Sequence, residues 1–318
     1  MFPMGLSMLW ESAEPREALR ERFGLESFGD AVTWLTKVLA ERWALEVEAC
    51  ERILISDQNA IAWVGTDQGA LVVKWSRAQE KFAKFTAIAE LLRALHEHGV
   101  PVAAPIPAVD GQCRVIVHSG ALPLSMTVQP QVIGELLETS DGSAVHRAGA
   151  CLADLHGALA KYEDSSLRGS DQDVDLRTRI ESWLEHEDRG LAPAGSARLR
   201  EQVASLPPID AERQLIHNDY RASNILMAES EVVAVIDFDE VAWDYCVRDL
   251  ANSFVVLGTH FTKWQPTPVS VREIFLQGYE SVRPLSELEL RWLESLTLWR
   301  AITAIPGGDD PAGWADAL

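Results

Sequence analysis

The sequence is short of positive charge: 28 Lys and Arg stand against 48 Asp and Glu, a net charge of −20. A surface of that sign repels phosphate backbones, so nucleic acid is excluded as an expected partner. The same balance favours solubility and attracts cations, which leads us to expect a cationic small-molecule ligand. Cysteine is scarce as well. Cys50, Cys113, Cys151 and Cys246 are widely separated and share no metal-ligand spacing, so neither a disulfide framework nor a cysteine-held metal is expected. Long apolar runs are missing, which excludes a helical membrane span. The opening Met1-Phe2-Pro3-Met4 lacks a basic segment followed by an apolar one, so no secretory signal is expected and a reducing cytoplasm is the expected location.

What is present is an ordinary globular composition, with 47% hydrophobic and 24% charged residues over 318 positions, enough chain to bury a large core. The period of the apolar residues divides it. Glu14 to Trp43 reads as two amphipathic helices split near Gly24. Val47 to Ile55, Ala60 to Val64 and Ala70 to Trp75 read as strands, with turns at Ser56-Asp57-Gln58-Asn59 and Asp67-Gln68-Gly69. Ala78 to His98 is a long helix ended by Gly99. Gln112 to Val117 and Leu122 to Val128 are further strands, broken by Gln129-Pro130-Gln131. Beyond Gly142 the chain reads as mainly helical, interrupted by a hairpin of Ile225-Leu226-Met227 and Val232 to Ile236.

Around that hairpin lie the residues that carry chemistry. His217-Asn218-Asp219-Tyr220-Arg221-Ala222-Ser223-Asn224 precedes it, Ile236-Asp237 closes it, and Asp249-Leu250-Ala251 follows. One acid with an amide five residues later, then a second acid at a strand end, suits phosphoryl transfer: one carboxylate to orient a hydroxyl, and an amide and an acid to hold magnesium through hard oxygens.

The segment Leu215 to Ala251 resembles the catalytic core of the aminoglycoside phosphotransferase and choline kinase family, small-molecule relatives of protein kinases. Its pattern of His-x-Asp-x-x-x-x-Asn, Ile-Asp and Asp-Leu-Ala is present in order. The resemblance implies an α+β, two-lobed protein kinase-like fold. Residues 46–130 would form an N-lobe of mostly antiparallel sheet plus one long helix, after an N-terminal helical segment at 1–45. Residues 131–318 would form a mainly helical C-lobe with a catalytic β-hairpin. It further implies an ATP- and Mg2+-dependent kinase, with GTP as the alternative nucleotide, acting on the hydroxyl of a small molecule. The acceptor could be a cationic antibiotic of the aminoglycoside type or a metabolite such as homoserine, choline or a sugar. A binding protein without catalysis on the same fold, and a metal-dependent hydrolase, are the competing classes; the second lacks the usual histidine-rich ligand set.

By the same resemblance, Asp219 is the catalytic carboxylate. Arg221 either neutralises charge on the transferring phosphoryl group or forms a surface ion pair. Asn224 and Asp237 are the magnesium ligands, and Lys74 is the nucleotide-phosphate lysine. Glu90, with Glu80 as alternative, is its helix partner, and Asp249 is the anchor of the catalytic-loop backbone. Ser56 and Asn59 stand in the phosphate-covering turn. That turn contains no glycine, although glycine is what usually lets backbone amides approach phosphates. Gln129 and Gln131 flank the break that suits an adenine-binding hinge. Asp239, Glu240 and Asp244 either line a cationic pocket or face water, and His156 is expected as a packed helix residue.

Overall fold

The computed structural model describes residues 4–162, 164–168, 174–261 and 264–317, and separates them into two compact units, 1–133 and 134–318. The first unit is built on a six-stranded sheet. Its strands are β1 (Gly5–Met8), β2 (Val47–Ile55), β3 (Asn59–Thr66), β4 (Gly69–Ser76), β5 (Val115–Ser119) and β6 (Leu122–Pro130), in the order β1-β2-β3-β4-β6-β5. All pairings are antiparallel except β1 with β2. Two helices, α1 (Pro15–Phe23) and α2 (Phe28–Trp43), lie between β1 and β2 in sequence, and α3 (Phe82–Glu97) follows β4.

Strand alternation decides which residues meet the helices. Leu71, Val73 and Trp75 of β4 face one way and join Leu19 and Phe23 of α1 and Leu35 and Leu39 of α2 in a single core. Trp75 is fully buried, edge-on to Phe23 at 6.1 Å and to Trp34 at 5.6 Å. The indoles of Trp34 and Trp43 donate to the carbonyls of His118 and Ile106, tying α2 to the sheet side with polar handles as well as apolar bulk. The helices expected within residues 1–45 therefore share the core of the sheet. The opposite face carries Lys74, Thr127 and Ser125 in register. There Arg114 bonds Ser125 and stacks 4.5 Å from the ring of Phe85 on α3. Strand β1 has no counterpart in the sequence reading: four residues are too few for a period to register. Strand β6 also runs through Pro130, where the proline was expected to end it earlier.

The second unit holds β7 (Glu135–Leu136), α4 (Gly142–Leu159), α5 (Leu176–His186), α6 (Pro193–Ser205), β8 (Gln214–Ile216), β9 (Ile225–Ala228), β10 (Glu231–Val235), β11 (Ala242–Asp244), α7 (Cys246–Val256), α8 (Val269–Glu280) and α9 (Glu287–Ala304). Its helix starts are written in the sequence. The Asp141 carboxylate accepts from Ser143 and Ala144 at the head of α4, and Ser286 and Glu289 form a reciprocal capping box at the head of α9. The expected hairpin is β9–β10, turned through Glu229 and Ser230, both at positive φ as a two-residue primed turn requires. Strand β7 adds to its outer edge, and β8 pairs with β11 in a separate ribbon. Helices α4 and α8 cross at reciprocal glycines. A Cβ at Gly149 would strike the Phe275 carbonyl oxygen, and one at Gly278 the His146 carbonyl oxygen.

Because both collisions are with backbone, Gly149→Ala should force α4 and α8 apart and cost about 3 kcal/mol, the upper end of overpacking. Chemical denaturation checks it; an unchanged midpoint would mean that the helices part freely.

Candidate active site

The loop between β8 and β9 is held by one buried side chain. Asp249, on the first turns of α7 and 0% exposed, accepts the backbone N–H of His217 at 2.8 Å with one oxygen and that of Asn218 at 2.8 Å with the other. His156 of α4, itself buried, points Nε2 at the same carboxylate at 3.0 Å, and Tyr279 of α8 meets its Nδ1 at 2.8 Å. The expected backbone anchor is thus present. His156 was expected only as a packed residue, yet it braces the anchor from a helix 93 positions away in sequence. That separation left no sequence signal.

From this anchor the loop follows. Asn218 adopts φ 64°, a left-handed conformation that asparagine tolerates better than most side chains. His217 donates from Nε2 to the Ile236 carbonyl at 3.1 Å and accepts the Asp219 N–H on Nδ1 at 3.2 Å. This assigns its tautomer and ties the loop to the strand end at Asp237. Tyr220 points inward, its hydroxyl on the Ala148 carbonyl at 2.9 Å. Ser253 of α7 donates to the Tyr220 carbonyl at 2.8 Å.

Asp219 emerges between a cation and an amide. Arg221 Nε donates to both carboxylate oxygens, at 2.9 and 3.1 Å, and Asn224 Nδ2 donates to Oδ2 at 2.8 Å and to the Asp219 carbonyl at 2.9 Å. The Arg221 side chain is only 12% exposed, with Trp264 5.6 Å from its guanidinium, and its Nη1 has no hydrogen-bond partner among the described residues. Burial pushes the Asp219 carboxyl up; Arg221 pulls against that shift, and the Asp237 carboxylate adds to it, leaving the group above its ordinary value. Asp237 itself sits at φ 64°, ψ 63°, a strained conformation for a non-glycine residue, at the end of β10. The structure therefore gathers Asp219, Arg221, Asn224 and Asp237 into one cluster.

The other expected site residues lie in the first unit. Lys74 stands mid-strand in β4, flanked by Ile61 and Thr127. On α3 the Glu90 carboxylate accepts two bonds from Arg93, at 2.9 and 3.1 Å, one turn along its own helix. In the glycine-free turn, Ser56 and Asn59 bond each other: Ser56 N–H and Oγ donate to the Asn59 carbonyl at 2.8 and 3.2 Å, and Asn59 N–H returns to Ser56 Oγ at 3.3 Å. At the break after β6, Gln129 donates its amide to Ala103 O at 2.9 Å, and the Gln131 N–H donates to Ala70 O at 3.0 Å. Asp244 does not face water: it is 4% exposed and paired with Arg179 at 2.8 Å and Arg248 at 3.4 Å.

Comparison with known proteins follows the same lines. Residues 53–292 match the model of the phosphotransferase enzyme family. An uncharacterized protein of Synechocystis sp. is 24% identical over 225 residues, 65% of this chain and 58% of that one. A homoserine kinase of Methylobacillus flagellatus is 26% identical over 234 residues, 72% of this chain and 69% of that one. The chain thus spans under two thirds of the length of the first of these relatives. Among solved structures, an amicoumacin kinase in complex with AMP-PNP, Ca2+ and its ligand superposes with a TM-score of 0.61 at 16% identity, covering 90% of each chain. The shared architecture is the protein kinase-like α+β fold.

In the unfolded chain Asp219 loses its proton near the ordinary value of about 3.9, whereas the folded protein holds it longer. The folded state then binds more protons in that window, so stability falls as pH rises through it. Asp219→Asn lacks this penalty, and its melting temperature relative to the parent should climb from acid pH to neutrality. A difference that does not vary with pH in thermal melts would show that the carboxyl is not held up.

Proposed function

The chain belongs to the phosphotransferase enzyme family, and we propose that it is an ATP- and Mg2+-dependent kinase that moves the γ-phosphoryl group to a hydroxyl of a small molecule. The observation that carries this reading is the cluster itself: Asp219 presented between Arg221 and Asn224, with Asp237 close enough to raise its proton affinity.

Two acids held near one another repel, and a divalent cation relieves that repulsion. Asn224 and Asp237 offer the donor set magnesium favours: one amide oxygen, left by an Nδ2 already spent on Asp219, and one carboxylate. Among the described residues no group of three or more His, Cys, Asp or Glu could hold a metal, which suits an ion that takes its remaining ligands from phosphate and water. When bound, the ion would neutralise charge on the phosphate oxygens.

Asp219 would accept the hydrogen bond of the acceptor hydroxyl and take its proton as the new O–P bond forms and the bond to the bridging oxygen of ADP breaks. Its oxygens already receive Arg221 and Asn224, which fixes the carboxylate plane and tempers its basicity. Orientation is therefore its main contribution, as a loose transition state demands. With no partner among the described residues, Arg221 Nη1 is a donor for a phosphoryl oxygen. Lys74 is the candidate to position the nucleotide phosphates. Relatives carry names as different as homoserine kinase and amicoumacin kinase, so resemblance does not choose the acceptor.

Calorimetric titration with ATP and GTP, with and without Mg2+, should give binding that requires the ion and that Asp237→Ala abolishes; ion-independent binding removes Asp237 from the metal site. Phosphate transfer, screened over homoserine, choline, sugars and aminoglycosides, should drop roughly 10²–10⁴-fold in Asp219→Asn while nucleotide still binds. Nucleotide binding without transfer to any acceptor would favour a non-catalytic binding protein.

A further inference from the structure

Beside the catalytic loop, α7 and α9 enclose a pocket lined by Arg248, Asn252, Leu296, Trp299, Arg300 and Thr303. It is one hydrogen bond removed from the loop that carries Asp219, since Asn252 Nδ2 donates to Asn218 Oδ1 at 2.8 Å. Its polar lining is rich in donors. The Arg300 side chain makes one hydrogen bond, from Nη1 to Thr303 Oγ1 at 3.2 Å, and no carboxylate among the described residues lies within ion-pair distance of it. Arg248 stacks on Trp299 at 4.7 Å and reaches Asp244 only at 3.4 Å, because Arg179 already holds both oxygens of that carboxylate at 3.0 and 2.8 Å. The buried Trp299 Nε1 has no partner among the described residues. Two guanidinium groups thus share one carboxylate, with the charge of Arg300 acting on Arg248 beside them, in a protein whose net charge is −20.

Uncompensated cations in a largely buried setting are costly unless something of opposite charge shares it. Burial lowers the proton affinity of both Arg248 and Arg300; at Arg248 the Asp244 charge opposes that shift and the Arg179 and Arg300 charges add to it, while the nearby Asp219 charge opposes it at Arg300. Guanidinium forks and an indole N–H are the donors that bind oxyanions, whereas a cationic amine would meet repulsion here.

Resting on the kinase reading above, we propose that this pocket is the acceptor subsite and that the acceptor alcohol also carries an oxyanion, a carboxylate or a phosphate, received by Arg300, Arg248 and the Trp299 indole. The expectation of a cationic acceptor drawn from net charge is thereby reversed: long-range charge describes the whole surface, but the local arrangement of Arg248 and Arg300 reads the substrate. The hydroxyl of such an acceptor would be presented to Asp219 with its anionic end held away from the incoming phosphates, where two negative groups would otherwise repel.

The test uses the full chain labelled with 15N, the Trp299 indole resonance being assigned with Trp299→Phe. Titration with 4-hydroxybutanoate should shift that resonance, and 4-hydroxybutanamide, which differs only in lacking the charge, should not. Glycerol 1-phosphate binding in preference would identify the oxyanion as phosphate. Arg300→Gln should weaken the anion roughly tenfold or more, and Arg300→Lys should recover part of the loss. MgATP binding in the same samples reports that each variant is folded and, separately, that the kinase reading holds. MgATP binding with no response to either anion, or an equal response to spermidine, overturns the subsite alone; absence of MgATP binding in the parent protein overturns the kinase reading instead.

Discussion

A single buried carboxylate organises the catalytic loop. Asp249 is sealed from solvent and satisfied by two consecutive backbone N–H groups and an imidazole. Left unpaired at that depth, either the charge or the amides would cost several kcal/mol, so the loop and helix α7 form together or not at all. Every later position depends on it. The left-handed turn at Asn218, the tautomer of His217 and the exit of Asp219 beside Arg221 are set once the His217 and Asn218 amides are fixed. The anchor reaches outward as well: through His156 and Tyr279 it draws on α4 and α8, the two helices that cross at Gly149 and Gly278. This close helix crossing therefore supports the loop where chemistry is proposed.

Charge is organised at two scales in this chain. Over the whole surface the excess is acidic. Within the second unit, acids and bases are sorted. Asp219 stands near Asp237, whose charge raises its proton affinity, while Arg179 and Arg248 share Asp244 and Arg300 acts on Arg248. Like charges brought together in this way repel, and a ligand of opposite charge would relieve each arrangement: the proposed divalent cation at the first, the proposed anionic acceptor at the second. Net charge averages these away.

The first unit obeys a simpler constraint. Period-two alternation gives its sheet one face for α1 and α2, crowded by Trp75, Phe23 and Trp34, and a second face where Lys74 sits among Thr127 and Ser125. The turn at Ser56 to Asn59 substitutes hydroxyl and carbonyl bonding for glycine, closing tightly on itself. Among the described residues no helix is long and apolar enough to cross a membrane.

The amino-acid sequence alone determined most of the elements and which polar residues the loop carries. Strand and helix periods are local properties, so β2 to β4 and the β9–β10 hairpin were legible to within a few residues, and the chain beyond Gly142 as mainly helical. Asp219, Asn224 and Asp237 were legible because a loop and a hairpin bring them together over a short stretch of chain. Elements too short to show a period, β1, β7 and β11, were not. Nor were contacts made at long separation: His156 with Asp249, Gly149 against Phe275, Arg179 with Asp244, and Arg248 on Trp299. Glu90 illustrates the limit from the other side, since its spacing from Lys74 is a sequence fact while its bond to Arg93 is a rotamer choice made on the folded helix. Tertiary structure alone decided which charges share a buried volume, because burial strengthens electrostatic interactions and depends on neighbours that the chain order does not reveal.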